Sequence, residues 1–307
     1  MPATFILSFD CEGRWGVADE LTPSIRRQLT DDRLADAYAT ILGILEEFEV
    51  PATFAFVGAF AESREGFAVI RPELEQLTAE APAYLGPALR DIDEAGGAGW
   101  HGGRLVEGVL AATAEHEVAL HGITHVPWTT VGRSFAEAEM RLLQRLPGAI
   151  RNSRTFVYPR NAVAHVEVLA EQGFDGFRSA RPQRSRAASL LSEFNLFERP
   201  EAEILRDSIV EIPAGYFLNW RQGFRRIVPP ALTLWRARRL LDAAAAAGKV
   251  VHYWLHPENI VIAPSTLELL GALVREVAKR REDGSCEIMT QVGYCRSIES
   301  RSQPRCG

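Results

Sequence analysis

Two histidines, His121 and His125, lie four residues apart directly after a short apolar stretch at 118–120. On one turn of helix, residues four apart share a face, so both imidazoles can reach one divalent cation. The glycine at 122 and the β-branched residues at 123 and 124 disfavour a long helix and predict a single turn or tight loop at a strand end. Taken alone, the spacing fits a metal site and a pair of ordinary capping or core histidines equally well.

Other polar side chains follow other predicted strands. They are Asp10, Glu12, Arg160, Asn161 and His256. Because the carboxyl ends of parallel strands share one face, where the loops build the active site, we expect these separate segments to meet at one mouth. A loop or helix-capping role would explain any one of these residues, but it explains their joint placement poorly.

The elements that must position these residues alternate along the chain. Buried-type strands are predicted at 4–9, 52–57, 117–120, 155–158, 174–178, 209–212, 250–255 and 287–290. Helical periodicity is predicted at 32–48, 105–114, 135–146, 163–172, 232–247 and 266–281. This alternation predicts an α/β fold with a parallel sheet, most simply closed as a TIM-like barrel.

Length and composition fit one globular domain. The chain has 307 residues, of which 47% are hydrophobic and 24% charged, and a single α/β barrel commonly runs to about 250 residues or more. We expect one barrel domain over residues 1–295, with an irregular insertion near 78–104, where glycines and prolines interrupt the pattern. The Arg- and Ser-rich stretch 296–307 is expected to be a frayed tail.

Charge and hydropathy exclude several kinds of partner. The net charge is −6 and the basic residues are mostly scattered, which argues against nucleic acid. No apolar run reaches the roughly 20 residues that span a bilayer, and no signal-peptide pattern is present, so we expect a cytoplasmic protein without a transmembrane segment. The four cysteines lack paired spacing and are expected to be free thiols. The oligomeric state cannot be predicted.

Five short motifs follow one another along the chain, and both their residues and their order are informative. They are Phe9-Asp10-Cys11-Glu12, PATFAFVG at 51–58, HEVALHGITH at 116–125, Tyr158-Pro159-Arg160 and Leu255-His256. Together they resemble the polysaccharide deacetylases, the NodB-like carbohydrate esterases, from about residue 4 to residue 290. The resemblance implies a distorted (β/α) barrel, often of seven strands, and hydrolysis of N- or O-acetyl groups from sugars with one divalent metal.

The first motif departs from the family pattern, which has two adjacent aspartates, because Cys11 follows Asp10 here. Along an extended strand, Asp10 and Glu12 point to the same side and Cys11 to the other, which favours Glu12 as the metal ligand. A turn at Asp10 would instead present Cys11 as a thiolate ligand. The third motif also departs, since Arg160 follows Pro159 rather than preceding a proline.

The resemblance assigns a role to each candidate residue. Glu12, His121 and His125 would hold the metal, most simply zinc, with nickel or cobalt as alternatives. The metal would activate a water for attack on the amide carbonyl, with Asp10 as base and His256 as acid for the leaving amine.

Three further residues are expected to contact the substrate: Arg160, Asn161 and Trp128. Arg160 would pair with Asp10 or bind a substrate oxygen or phosphate, and a plain salt bridge on the rim is the alternative. Trp128 would offer a face on which a sugar ring stacks.

The expected partner is an acetylated sugar or glycan, for example a nucleotide- or lipid-linked intermediate of glycan synthesis. Two other classes of function are also compatible with the sequence. A relative could hydrolyse a cyclic amide or imide on the same barrel, although the intact histidine pair favours the metal enzyme. The protein could also be a catalytically silent carbohydrate-binding module.

Overall fold

The structure is a computed structural model that describes residues 2–94, 96–181, 204–206 and 209–302. The strands within these ranges are β1 (Ala3–Cys11), β2 (Thr53–Phe56), β3 (Glu117–Leu120), β4 (Thr155–Val157), β5 (Gly176–Arg178), β6 (Ile204–Arg206), β7 (Ile209–Ile212), β8 (Tyr216–Phe217), β9 (Val250–Leu255) and β10 (Cys286–Met289). Residues 182–203 and 207–208 lie outside the described residues.

The α-helices of the same ranges mostly connect successive strands. They are α1 (Pro23–Gln28), α2 (Asp31–Glu47), α3 (Arg64–Leu77), α4 (Pro82–Glu94), α5 (Gly103–Ala111), α6 (Arg133–Leu143), α7 (Gly148–Arg151), α8 (Val166–Glu171), α9 (Pro230–Ala247), α10 (Pro257–Ile262), α11 (Thr266–Glu282) and α12 (Gln291–Ser302). Short 3-10 helices occupy Trp15–Glu20, Trp128–Thr130, Pro159–Asn161 and Gly223–Ile227. None of the helices in this part of the chain is long and apolar enough to cross a membrane.

The strands form one sheet in the order β6-β7-β5-β4-β3-β2-β1-β9-β8. Every pairing is parallel except β6 with β7. β1 is central, since β9 lines one edge while β10 and then β2 line the other. Because no strand pair of the described residues joins β6 to β8, the sheet is a distorted, incompletely closed barrel. The predicted α/β barrel is thereby confirmed.

Alternation along β1 separates two environments. Phe5, Leu7 and Phe9 belong to the large core between the sheet and the surrounding helices, whereas Ser8 and Asp10 face the opposite side, inside the barrel. Burial of the apolar face on one side and of polar groups on the other fixes the register, because a slip of one residue would exchange them.

A thin apolar layer crosses the barrel interior. Ala55, Ala119 and Val157, from three neighbouring strands, form a separate fully buried cluster. Small side chains at this level leave room for polar groups above and below, so the barrel has a polar mouth at the carboxyl ends of the strands and a polar floor at their amino ends.

Two stretches expected to be irregular are helical. The predicted insertion near 78–104 contains α4, whose buried residues Leu85, Ala88 and Ile92 recur at helical spacing and pack on the core. The expected tail begins as the second half of α12, where Ile298 packs with Ile6 and Val210, because one apolar face of this helix covers the sheet. Residues 303–307 of that expected tail lie outside the described residues.

Candidate functional site

Polar residues from three strands meet at the mouth of the barrel. Asp10 lies at the end of β1 and Glu12 directly after it, while His121 follows β3 and His256 follows β9. Asp10 and His121 are 2% and 1% exposed, so the groups are largely withdrawn from water and interact strongly.

One carboxylate oxygen is the centre of the cluster. Glu12 Oε1 lies 3.0 Å from His121 Nε2 and 3.0 Å from His125 Nε2, and 3.4 Å from His256 Nε2. Within the described residues, the ligand atoms of Glu12, His121 and His125 all lie within 4.8 Å of one another, and so do those of Asp10, Glu12 and His256. This is the spacing at which side chains surround a single cation.

The hydrogen bonds of the rings fix which nitrogen carries the proton. His121 Nδ1 lies 2.8 Å from the carbonyl oxygen of Val157. A carbonyl oxygen can only accept, so Nδ1–H donates; when the ring carries this one proton, its Nε2 lone pair faces Glu12. A lone pair facing a carboxylate is unfavourable unless a cation lies between them, and a metal-bound histidine commonly donates its other N–H to a carbonyl in this way. The residues therefore fit a divalent metal.

The loop that carries the histidines depends on special backbone geometry. Gly122 has φ +68°, and a Cβ there would lie 2.9 Å from Pro159. His125 has φ +60°, a left-handed conformation that a non-glycine residue adopts at a cost and that is found at functional sites. The turn brings His125 back beside His121, with ring centroids 5.1 Å apart.

A buried arginine holds the candidate base. Arg178, at the end of β5, donates to both oxygens of Asp10 at 2.7 and 2.6 Å and to Asn161 Oδ1 at 2.9 Å. Burial opposes ionisation of Asp10, but the Arg178 guanidinium, together with His121 and His256, lowers the pKa of Asp10 below its ordinary value. Asp10 is therefore a carboxylate at neutral pH, as a proton acceptor must be.

His256 has the opposite protonation. It caps the amino end of α10, and its ring Nδ1 and backbone N–H both lie 3.2 Å from Asn259 Oδ1. Burial favours the neutral ring, but the carboxylates of Glu12 and Asp10 prevail and raise the pKa of His256 to about 10. His256 is therefore protonated at neutral pH, and this proton donor lies beside Asp10, the proton acceptor.

The comparisons with known proteins agree with this geometry at the level of the fold. No protein-family model matches the sequence, and no characterised protein matches it by sequence. A protein classed as a polysaccharide deacetylase from Mycobacterium smegmatis is similar in structure, with 16% identity, a TM-score of 0.63, and coverage of 98% of this chain and 91% of that one.

Another protein classed as a polysaccharide deacetylase, from Pseudomonas aeruginosa PAO1, has 11% identity and a TM-score of 0.59 over 97% of this chain and 91% of that one. The chain has the polysaccharide deacetylase fold. Puue allantoinase shares the fold to the same degree, with 13% identity, a TM-score of 0.59 and coverage of 97% and 91%, so the fold alone does not choose the bond that is cleaved.

Within this deacetylase fold, Arg160 forms the plain salt bridge on the rim that was one of its three expected roles, with Asp19 at 2.5 Å. It does not reach Asp10, so the expected pairing with Asp10 is wrong. The cause is local: Arg160 and Asn161 both have left-handed backbone, with φ +55° and +54°, which leaves Arg160 outside and Asn161 on Arg178. Sequence reasoning passed over Arg178, whose only signal was a charged residue at the end of a predicted buried strand.

Trp128 was also misjudged as a sugar-stacking residue. It is fully buried, its ring packs on Phe156 and Tyr158, and its Nε1–H donates to Glu139 Oε2 at 2.7 Å. No face is left for a sugar ring.

The first motif has the alternation expected of a strand. Cys11 is fully buried in the outer core with its thiol toward the carbonyl oxygen of Phe9, while Asp10 and Glu12 face the cluster. Glu258 supports this motif from α10, since its Oε1 accepts the backbone N–H groups of Glu12 at 3.2 Å and Gly13 at 2.5 Å. No feature of the sequence predicted that contact.

Proposed function

We propose that this protein is a metal-dependent hydrolase that removes N- or O-acetyl groups from a sugar or glycan. The proposal depends chiefly on one observation: a single oxygen of Glu12 faces three imidazole nitrogens, two of them at 3.0 Å, beside an arginine-paired aspartate. The deacetylase fold supports it.

Glu12, His121 and His125 would hold the metal, and zinc suits a set of two imidazoles and one carboxylate, with nickel or cobalt as alternatives. When bound, such a metal lowers the pKa of a coordinated water and stabilises the oxyanion of the tetrahedral intermediate. With these three residues as its protein ligands, such a metal would still be able to bind a water molecule and the substrate carbonyl.

Two residues of the chain would divide the proton transfers. Asp10 accepts the proton of the attacking water, and Arg178 keeps it ionised and fixes the plane of its carboxylate through two hydrogen bonds. His256, whose Nε2 lies 4.0 Å from Asp10 Oδ2, donates a proton to the departing amine or alcohol.

The substrate would meet aromatic side chains at this mouth. Phe217 and Trp254 are half-buried, and their ring centroids lie 5.8 and 5.6 Å from that of His256. Half-exposed aromatic faces next to a proton donor suit the apolar face of a sugar ring. Arg160 and Asp19 on the rim would contact more distant parts of the substrate, and we treat residues 1–295 as one catalytic domain.

Acetate release tests the proposal. The purified protein is incubated with N-acetylated and O-acetylated oligosaccharides and, in parallel, with allantoin, before and after removal of metal by a chelator and its replacement by zinc, nickel or cobalt. We expect stoichiometric metal and metal-dependent acetate release. Turnover of allantoin alone would establish the cyclic amide hydrolase instead, and sugar binding without turnover would indicate a silent binding module.

A further inference from the structure

A second buried carboxylate lies directly behind the histidine loop. Glu139, on α6, is fully buried, and its Oε1 accepts the backbone N–H of Thr124 at 2.8 Å and also the Thr124 hydroxyl. Its Oε2 accepts the Trp128 indole N–H at 2.7 Å. One side chain thus binds residues on both sides of His125, namely Thr124 before it and Trp128 three residues after it.

The two histidines of the loop are held by different means. His121 directly follows β3, its backbone N–H donates to the carbonyl oxygen of Phe56 at 2.7 Å, and its ring is fixed by Val157. The sheet therefore positions His121. His125 lies beyond the sheet in left-handed backbone. The backbone N–H groups of Gly58 and Ala59 donate to the loop at Gly122 and Ile123, and the side-chain contacts next to His125, at Thr124 and Trp128, are those to Glu139.

We propose that Glu139 is a positioning residue that fixes His125, and not His121, in the geometry that a metal requires. The effect on metal affinity rests on the proposed function, whereas the effect on the conformation of His125 does not. A ligand held in a costly backbone conformation needs support from its surroundings, since otherwise the loop would relax and the imidazole would leave the cluster.

The hydrogen bonds of Glu139 indicate which substitution tests the proposal most directly. Both oxygens of Glu139 face N–H groups, one on Thr124 and one on Trp128, and an N–H group can only donate. In Glu139→Gln, the new amide NH2 must oppose one of these donors in either orientation. The substitution keeps the size of the side chain but leaves at least one buried N–H unpaired, which costs about 1–3 kcal/mol.

The chain offers a matched control in Glu117, a buried glutamate at the floor of the barrel. Its Oε1 accepts the Thr155 hydroxyl, while its Oε2 accepts the Thr53 hydroxyl and the Val292 N–H. A hydroxyl can rotate and accept, so Glu117→Gln can place its NH2 toward Thr155 without an opposed donor. The two variants make the same chemical change at two buried positions, but only Glu139 adjoins the histidine loop.

The experiment compares wild type, Glu139→Gln and Glu117→Gln in two measurements. In metal-free protein labelled with 15N-histidine, we expect the ring signals of His125 to shift or broaden in Glu139→Gln while those of His121 stay in place. In zinc titrations, we expect Glu139→Gln to raise the dissociation constant for zinc by about 10- to 100-fold, the usual effect of losing a partner that orients a ligand. Glu117→Gln should match wild type in both.

Unchanged His125 signals in Glu139→Gln would overturn the inference, and so would equal changes at His121 and His125. If wild type binds no metal, the proposed function fails, but the signals of the metal-free protein still decide the role of Glu139. Should Glu139→Gln not fold, Thr124→Val removes one of the three hydrogen bonds and preserves the side-chain shape. It should shift His125 in the same direction by a smaller amount, and no shift would also overturn the inference.

Discussion

The mouth and the floor of the barrel each bury a glutamate, with opposite chemistry around it. At the floor, Glu117 receives hydrogen bonds from Thr53 and Thr155 hydroxyls and from the Val292 N–H. At the mouth, Oε1 of Glu12 meets imidazole nitrogens instead, and the ring proton of His121 is committed to Val157. Similar burial therefore does not mean a similar role.

The difference lies in what each neighbour can supply. Hydroxyl and N–H groups always carry a proton, so they satisfy the floor carboxylate by themselves and tie four elements of the fold together. Neutral imidazoles present lone pairs, so the mouth carboxylate is satisfied only when a proton or a metal ion lies between. The apolar layer of Ala55, Ala119 and Val157 keeps the two polar groups apart.

The largest effect that would sharpen this comparison is expected for His125→Ala. Loss of this proposed imidazole ligand should empty the proposed metal site and reduce the proposed deacetylation by about a thousandfold or more, since such a metal supplies several kcal/mol of transition-state stabilisation. Metal content by mass spectrometry and acetate release measure this. The thermal midpoint of the metal-free protein should stay within a few degrees of wild type, because the loop contributes little to the core; full metal occupancy in the variant would refute the site.

A smaller effect is expected for the mouth residues that we propose to transfer protons without binding metal. Asp10→Asn and His256→Ala should each retain metal and lose turnover by about a hundredfold or more, the usual scale for a missing general base or acid. Turnover number and metal content are measured together. Because His256 Nε2 lies 3.4 Å from Glu12 Oε1, loss of metal in His256→Ala would show that this histidine is a ligand.

The first motif predicts a contrast between adjacent residues. Glu12→Gln should weaken metal binding by about tenfold or more, because a neutral amide oxygen is a poorer ligand than a carboxylate. Cys11→Ser should keep the metal and most of the activity, since the thiol faces the outer core. A metal titration of both variants decides between them: an empty site in Cys11→Ser with a full one in Glu12→Gln would favour a thiolate ligand.

The smallest effect is expected for a buried histidine on β9, the strand that directly precedes His256. His252 is 1% exposed, its Nδ1 lies 2.8 Å from the Pro213 carbonyl oxygen, and its Nε2 lies 2.8 Å from the Ser8 hydroxyl. Both nitrogens are satisfied by the protein, and burial together with the nearby Arg178 lowers the pKa of His252 from 6.5 to about 3. Its hydrogen bonds are therefore complete within the protein, like those of Glu117 at the floor and unlike those of Glu12 at the mouth.

The folded state therefore disfavours the protonated form of His252. The stability that the neutral ring contributes is fully present above about pH 6.5 and is lost as the pH falls toward 3, by up to about 1.4 kcal/mol per pH unit. Urea unfolding of wild type and His252→Gln between pH 7 and pH 4 measures this. The variant should lose less free energy of unfolding on acidification, and parallel curves would contradict the assignment.

Much of the fold could be predicted from the sequence because the signals are local. Alternation of apolar strands with helical periods predicted the parallel sheet, and strand ends predicted where Glu12, His121 and His256 would lie. The failures were also local in origin: α4 and α12 were missed because proline, glycine and arginine obscured faces that are apolar only at helical spacing. Tertiary packing outweighs such local preferences.

The sequence by itself determined which residue types lie at the strand ends, and strand alternation determined that Asp10 and Glu12 share a side. Only the tertiary structure decided the partners. That Arg178 rather than Arg160 holds Asp10, that Trp128 is buried, and that Glu139 ties down His125 all depend on contacts between residues far apart in the chain or on backbone turns such as that at Arg160. Such pairings follow from how helices and loops pack over the sheet, and no spacing along one strand or helix encodes them.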